Sequence, residues 1–479
     1  MCFFFFIGFM IMRCSFLFNI IVLTVLPLLL QAQSAVAFPA ENLPQPQQYQ
    51  PHTALEALLP QQAARPNRHT LALEKQVLPP VLDLMKNGQW QRAKQALTPL
   101  LVHTPPSLHG LFLAGQIAEQ QQEWQSAVGY YRKMLAIDSN LHRPRLELAK
   151  VLAKSGEIKA SEYQFNLALS QQLPQNVESN VYAILQHLNA QTAYLNLQFA
   201  LLPNSNVNQA TTQRSVIFQG KEVVLSENSR AKRGIGLQFS VDGEKRFGKE
   251  YKWFVNGSLF NLDYANRRND QTATRLMIGR SFGNQRRHSL DIAVGGHHLL
   301  YRHKGLYQGV VGRADYNRRL RPNWKLSLSW ETQQLHYRPE YAYQRGWQHW
   351  LNTRLTHISQ GKTIYYWGIQ QGFNQAAEKR YSNRSLVFQT GIRHQFDWLQ
   401  LTIGGQLAYG KTDYRDVSPF FGIIRHDKRW SGSVDFLKRD WSWKGFAPRL
   451  SFHYTDNRST IPLNTYQNKQ MRLMFSKEF

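Results

Sequence analysis

Cysteine is nearly absent from this 479-residue chain, and the two present, Cys2 and Cys14, both fall in its first fourteen residues. Beyond them no thiol remains, which excludes a disulfide framework, a CxxC redox site and a cysteine nucleophile from the body of the protein. A mean hydropathy of −0.45 is too low for a bundle of membrane-spanning helices. Acidic residues are scarce: 31 Asp and Glu stand against 57 Lys and Arg, a formal charge of +26. Catalytic signatures are not expected either. No HExxH occurs, and neither a nucleophile elbow nor a P-loop is read in the chain, so no catalytic, cofactor or metal site is assigned.

What is present is strand alternation. In the stretch Trp324 to Trp330, residues Trp324, Leu326, Leu328 and Trp330 share one face while Lys325, Ser327 and Ser329 share the other. Side chains alternate with period two along a strand, so one face is apolar and one is wet. The pattern returns in Leu399, Leu401, Ile403 and Leu407 against Gln400, Thr402 and Gln406, and in Trp430, Val434 and Phe436 against Ser431, Ser433 and Asp435. Fourteen such stretches run from 192–201 to 468–479, and nothing in the chain is left to cover so many sheets. A closed barrel with lipid outside and water inside satisfies all of them. Trp and Tyr near strand ends, among them Trp253, Trp324, Trp350, Trp398, Trp430 and Tyr454, suit interfacial girdles. The polar faces name Asn196, Gln198, Gln238, Gln400, Gln406 and Arg449 as lumen candidates.

The chain opens with Arg13, an apolar stretch from Phe16 to Leu30, and Ala35-Val36-Ala37. This is the layout of a secretory signal peptide with a small-x-small cleavage site, expected over 1–37; a retained anchor would need about 20 uninterrupted apolar residues. Residues 38–70 are rich in Pro and Gln and read as a disordered lead. From 71 to 188 the period becomes helical and a repeat appears. Trp90, Trp124 and Ile158 are 34 apart, as are Gly88, Gln122 and Gly156, then Leu97, Tyr131 and Phe165, then Leu84, Ala118 and Leu152. Ala93 and Ala127 keep the same spacing where two helices should cross closely. A 34-residue period with small residues beside aromatics is the tetratricopeptide signature, whose concave face holds a peptide or protein. A plain helical spacer is the simpler alternative.

The reading is therefore an α + β multidomain chain: tetratricopeptide-like repeats followed, over 189–479, by a 14-stranded antiparallel transmembrane β-barrel. An even strand count puts both chain ends, and so the repeats, on the periplasmic side. The last strand carries Met471, Leu473, Phe475 and the terminal Phe479 on one face, resembling the signal recognised by barrel-assembly machinery. The barrel segment 231–479 holds 40 Lys and Arg against 18 Asp and Glu. On an exported barrel that excess points to lumen polarity and outer-membrane lipid headgroups, or to an anionic cargo, rather than to nucleic acid. His297, His298 and His303 sit close in sequence, and His288-Ser289 could be imagined as a hydrolase pair. Neighbours on one strand point apart, so neither makes a site.

The longest connection, 202–232, opens with Pro203, Asn204, Asn206 and Asn208, whose alternate asparagines can close turns through side chain–backbone bonds. With this segment after the first strand, the helical domain and the Phe-terminated barrel, the chain resembles the surface lipoprotein assembly modifiers. That resemblance implies an outer-membrane translocon that moves surface lipoproteins, or secreted haem- or iron-binding proteins, with cargo or periplasmic chaperones engaged by the helical repeats. An exopolysaccharide exporter and a passive porin are the transport alternatives, and a barrel hydrolase is the enzymatic one.

Overall fold

The computed structural model describes residues 68–478, apart from short stretches at 104–105, 172, 192, 219, 249–251, 266–268, 284–287, 360–361, 397–398, 400, 439–440 and 442–445. The signal-peptide reading, most of the lead segment, Trp398, Gln400 and Phe479 lie outside the described residues. Eight α-helices are described: α1 (Arg68–Lys86), α2 (Trp90–Ala96), α3 (Thr98–Val102), α4 (Leu108–Gln120), α5 (Trp124–Ile137), α6 (His142–Lys154), α7 (Ile158–Leu169) and α8 (Gln175–Gln191). The helical region thus starts at Arg68, taking in residues assigned to the lead, and runs to Gln191 rather than 188.

The 34-residue period is a repeat of backbone geometry. Gly88, Gln122 and Gly156 all adopt left-handed φ, at 68°, 59° and 85°. Each is followed by an amide that closes the preceding helix: Gln89 N donates to Leu84 O, Glu123 N to Ala118 O and Glu157 N to Leu152 O, at 2.8–2.9 Å. A left-handed residue with a six-to-one bond is the Schellman ending, which turns the chain so that the next helix packs back on the last. Three identical turns start α2, α5 and α7 at 34-residue intervals. Side chains follow suit. Leu97, Tyr131 and Phe165 are all fully buried, as are Ala93, Ala127 and Ser161 at the crossing position. Gly115 lets α4 approach α5, since a Cβ there would lie 2.6 Å from the Tyr131 ring.

The remainder is a closed antiparallel barrel of fourteen strands: β1 (Tyr194–Asn204), β4 (Gly234–Phe247), β5 (Trp253–Tyr264), β6 (Gln271–Phe282), β7 (His288–Tyr301), β8 (Lys304–Arg321), β9 (Trp324–Tyr337), β10 (Gly346–Ser359), β11 (Thr363–Ala376), β12 (Asn383–Phe396), β13 (Leu401–Val417), β14 (Ile424–Lys438), β15 (Ala447–Ser459) and β16 (Tyr466–Glu478). Neighbours in sequence are neighbours in the ring, and β1 closes it against β16. A small hairpin, β2 (Ser215–Phe218) with β3 (Lys221–Val224), stands in the long connection after β1. Large apolar side chains point outward and bare: Leu276, Leu407, Val310, Ile235, Trp430 and Val294 are 54–63% exposed. Water would make such a wall aggregate, whereas hydrocarbon accommodates it. Among the described residues no helix is long and apolar enough to cross a bilayer.

Candidate functional site

Three features of the barrel stand out: its seam, its lumen and the mouth where the helices meet it. At the seam, among the described residues, β1 makes eleven residue pairs with β4 and seven with β16. Pairing runs from Asn196 opposite Glu478 to Leu201 opposite Leu473, stops at Leu202 and Pro203, and resumes at Asn204 opposite Gln470. Pro203 has no amide hydrogen to donate, which weakens a ladder at that point.

Immediately beyond the break, the Asn segment clasps the two strands. Asn206 is buried at 1% exposure. Its Nδ2 donates to Ala210 O at 2.8 Å and to Gln467 O of β16 at 3.0 Å; its Oδ1 accepts from Ala210 N at 3.1 Å. Asn204 Oδ1 accepts from Asn206 N at 2.8 Å. Ser205 N donates to Lys469 O at 2.9 Å, and Lys469 N donates to Ser205 Oγ at 2.8 Å. Asn208 ties the other side: its Nδ2 donates to Arg230 O at 2.8 Å and its Oδ1 accepts from Lys232 N at 2.9 Å. The sequence reading foresaw turn chemistry here but not the partners. Gln467 lies 261 positions away, and no local signal announces it.

In the lumen, Asn196 Nδ2 donates to Asp242 at 3.0 Å, and Ser240 Oγ reaches Gln198 at 3.5 Å. Tyr366 donates to Gln406 at 2.9 Å, and Gln238 is buried. Arg449, opposite Met474 and Leu437, lies on the same inner face. These candidates are spread around the wall rather than gathered at one point. A bidentate pair between Arg275 and Glu331, with both bonds 3.0 Å, was not foreseen because β6 and β9 are not sequence neighbours. His297 faces inward against Tyr307, while His303 at the β7–β8 turn pairs with Asp270 at 3.2 Å, so the histidines do not converge. Among the described residues no three metal-ligating side chains cluster.

Two catalytic spacings do occur, contrary to the expectation from sequence. Gly405, Gly410, Lys411 and Thr412 have P-loop spacing, but they lie within the unbroken ladder of β13, whose amides bond to β12 and β14 and cannot cradle phosphate. Gly279, Ser281 and Gly283 have nucleophile-elbow spacing at the end of β6. There Arg246 donates to Ser281 Oγ at 2.7 Å, and a hairpin rather than a helix follows.

At one end of the barrel, helices and lumen touch. Arg319 of β8 is opposite Lys325 and on the inner face, in line with Arg313, which lies opposite Glu331 in the register. Its guanidinium donates to Asn166 of α7 at 3.1 Å and lies over the ring of Tyr182 of α8 at 5.4 Å. Helix α8, 17 residues and about 25 Å long, leads directly into β1. It therefore bridges β1 and the β8 side of the opening.

Comparison with known proteins places this architecture. The family model described as surface lipoprotein assembly modifier matches residues 194–479. The chain belongs to that family. Similar proteins include a surface lipoprotein assembly modifier of Pasteurella multocida, 23% identical over 439 residues that cover 84% of this chain and 83% of the relative. Surface lipoprotein assembly modifier 2 of Haemophilus influenzae is 22% identical, covering 86% and 88% of the two chains; that of Neisseria meningitidis is 22% identical, covering 75% and 76%. Among solved structures, the Pseudomonas aeruginosa channel OccK1 matches 60% of this chain and 99% of its own at 12% identity with a TM-score of 0.32. The Acinetobacter baumannii channel DcaP matches 60% and 96% at 8% identity with a TM-score of 0.35. A family member with this closed, outwardly apolar barrel resides in the Gram-negative outer membrane.

Proposed function

We propose that this barrel is a translocon that receives a surface lipoprotein, or a related secreted haem- or iron-binding protein, in the periplasm and passes it to the cell surface. The observation that carries this reading is the docking of the helical repeats on Arg319, a lumen residue at the periplasmic mouth. A segment held by the repeats is thereby at high local concentration where the passage begins. The polar lumen faces, Asn196, Gln198, Gln238 and Gln406 among them, offer replaceable hydrogen bonds. Passage requires contacts that are weak and numerous, since tight binding would stall release. The barrel performs no hydrolysis in this reading. Barrel-assembly machinery and periplasmic chaperones serve it, the first by inserting the chain through its final strand, with Phe475 and Phe479 as the signal, the second by keeping cargo unfolded.

The test is surface display in a Gram-negative host that lacks the protein. Candidate lipoproteins are co-expressed with it, and each is probed with protease on intact cells. The reading predicts at least one lipoprotein that is cleaved only when the translocon is present. Protection of every candidate beside a folded, solute-permeable barrel would contradict it.

A further inference from the structure

Strands β13, β14 and β15 set three cations side by side on the outer wall. Lys411 lies opposite Lys428, and Lys428 lies opposite Arg458. The same face carries Leu407, Trp430, Val434, Phe452 and Tyr454, each 40–62% exposed toward lipid. Like charges directly opposite each other, on strands about 4.8 Å apart, destabilise a sheet. Two carboxylates are near and both are engaged: Asp413 with His426 at 2.6 Å, and Asp456 with Arg458 at 3.2 Å. Among the described residues, no side-chain hydrogen bond or ion pair engages Lys411 or Lys428. Lys411 and Lys428 thus hold uncompensated positive charge at a fixed depth, beside the paired Arg458.

That depth is informative. Lys411 is ten residues beyond Leu401, where β13 begins at the periplasmic side. At about 3.3 Å per residue and a tilt near 40°, the rise is about 25 Å, the height of the apolar band of such barrels. The rings of Tyr409 and Trp430, with centroids 4.6 Å apart and planes inclined by 42°, form the girdle just below the row. The cations accordingly stand at the headgroups of the outer leaflet. Beneath them the wall is indented by a mainly apolar groove of about 1410 Å³, lined by Ile392, Leu407, Val434 and Phe452 and opened by Gly405 and Gly432. At Gly405 an added Cβ would find its nearest neighbour 3.9 Å away, so the glycine leaves usable space.

We propose that this wall binds a lipid with a phosphorylated headgroup, the phosphate held by Lys411, Lys428 and Arg458 and the acyl chains laid in the groove. The combination of one-signed charge at headgroup depth with an apolar furrow beyond the Tyr409 and Trp430 rings fits an anionic amphiphile.

The full chain, purified in detergent and stripped of lipid, is titrated with diphosphorylated lipid A, with phosphatidylcholine and with inorganic phosphate, and bound lipid is read by native mass spectrometry. The wild type should retain lipid A and bind phosphatidylcholine far more weakly. At about 1 kcal/mol per lysine, the Lys411→Gln/Lys428→Gln protein should bind lipid A about thirtyfold more weakly. Gly405→Leu, which fills the groove, should weaken lipid A binding without changing the response to inorganic phosphate. Heat-modifiable migration confirms that each variant is a folded barrel. Equal binding of lipid A by wild type and the charge variant, or equal affinity for lipid A and phosphatidylcholine, would overturn the proposal, as would inorganic phosphate binding as tightly as the lipid.

Discussion

Replacing Tyr131 by alanine unfolds the periplasmic helices and leaves the barrel closed. Tyr131 is fully buried at the junction of α4 and α5, packed on Gly115 and 6.0 Å from the Phe112 ring, and it donates a 2.7 Å hydrogen bond to Glu119. Removing so large a buried ring costs about 3–5 kcal/mol, a large share of the stability of a domain this size. The barrel is spared because β1 and β16 close it by their own ladder. Limited proteolysis should release the helical region of Tyr131→Ala under conditions where the wild type is resistant, while heat-modifiable migration persists. Equal protease resistance would contradict the packing argument.

Tyr131→Phe separates the ring from the hydroxyl. Burial and the nearby Glu147 push the Glu119 carboxyl above its ordinary value, and the Tyr131 hydroxyl and Lys154 pull the other way. A group raised in the folded state favours folding at low pH and opposes it as pH rises through its folded value. Losing the hydroxyl raises it further, so the Tyr131→Phe penalty should be larger at pH 7 than at pH 4.

The second large effect belongs to the seam. Asn206→Ala deletes three hydrogen bonds from a fully buried amide and strands the Ala210 amide and the Gln467 carbonyl. At roughly 1 kcal/mol for each bond lost, the segment is weakened by about 3 kcal/mol, of which about 1 kcal/mol is the bond to Gln467 that crosses the seam and the rest is the loop geometry that presents it. Hydrogen exchange should accelerate at Ser205 and Lys469, whose amides cross the seam, and not at the β11–β12 ladder. Asn208→Ala, which loosens only the loop from Arg230 and Lys232, should leave the seam amides slow. Unchanged exchange at Lys469 in Asn206→Ala would show that the clasp does not hold the strands.

Much of this was legible in the sequence because the relevant signals are local. Period-two alternation announced each of the fourteen strands, and left-handed turns at Gly88, Gln122 and Gly156 recur at the spacing the sequence displays. The hairpin Ser215–Phe218 with Lys221–Val224 escaped because four-residue strands are too short to span and were absorbed into a loop. The pairings of Asn206 with Gln467, Arg275 with Glu331 and Arg319 with Asn166 escaped for a different reason. Closure of the ring and docking of the helices bring them together, and neither leaves a local trace. The catalytic spacings err in the opposite sense: glycines that would be loops elsewhere sit in β13 and at the end of β6, where an added Cβ at Gly279 would meet Phe254 at 2.3 Å and one at Gly410 would meet Val387 at 3.1 Å.

The most direct measurement is to catch cargo in transit. A photoreactive amino acid is placed at Asn166 beside the mouth, at Gln406 in the lumen and at Leu276 on the lipid-facing wall, and cells exporting a displayed lipoprotein are irradiated. The account predicts cargo cross-links from positions 166 and 406 and none from 276. Cargo that reaches the surface without cross-linking to either the mouth or the lumen would contradict it.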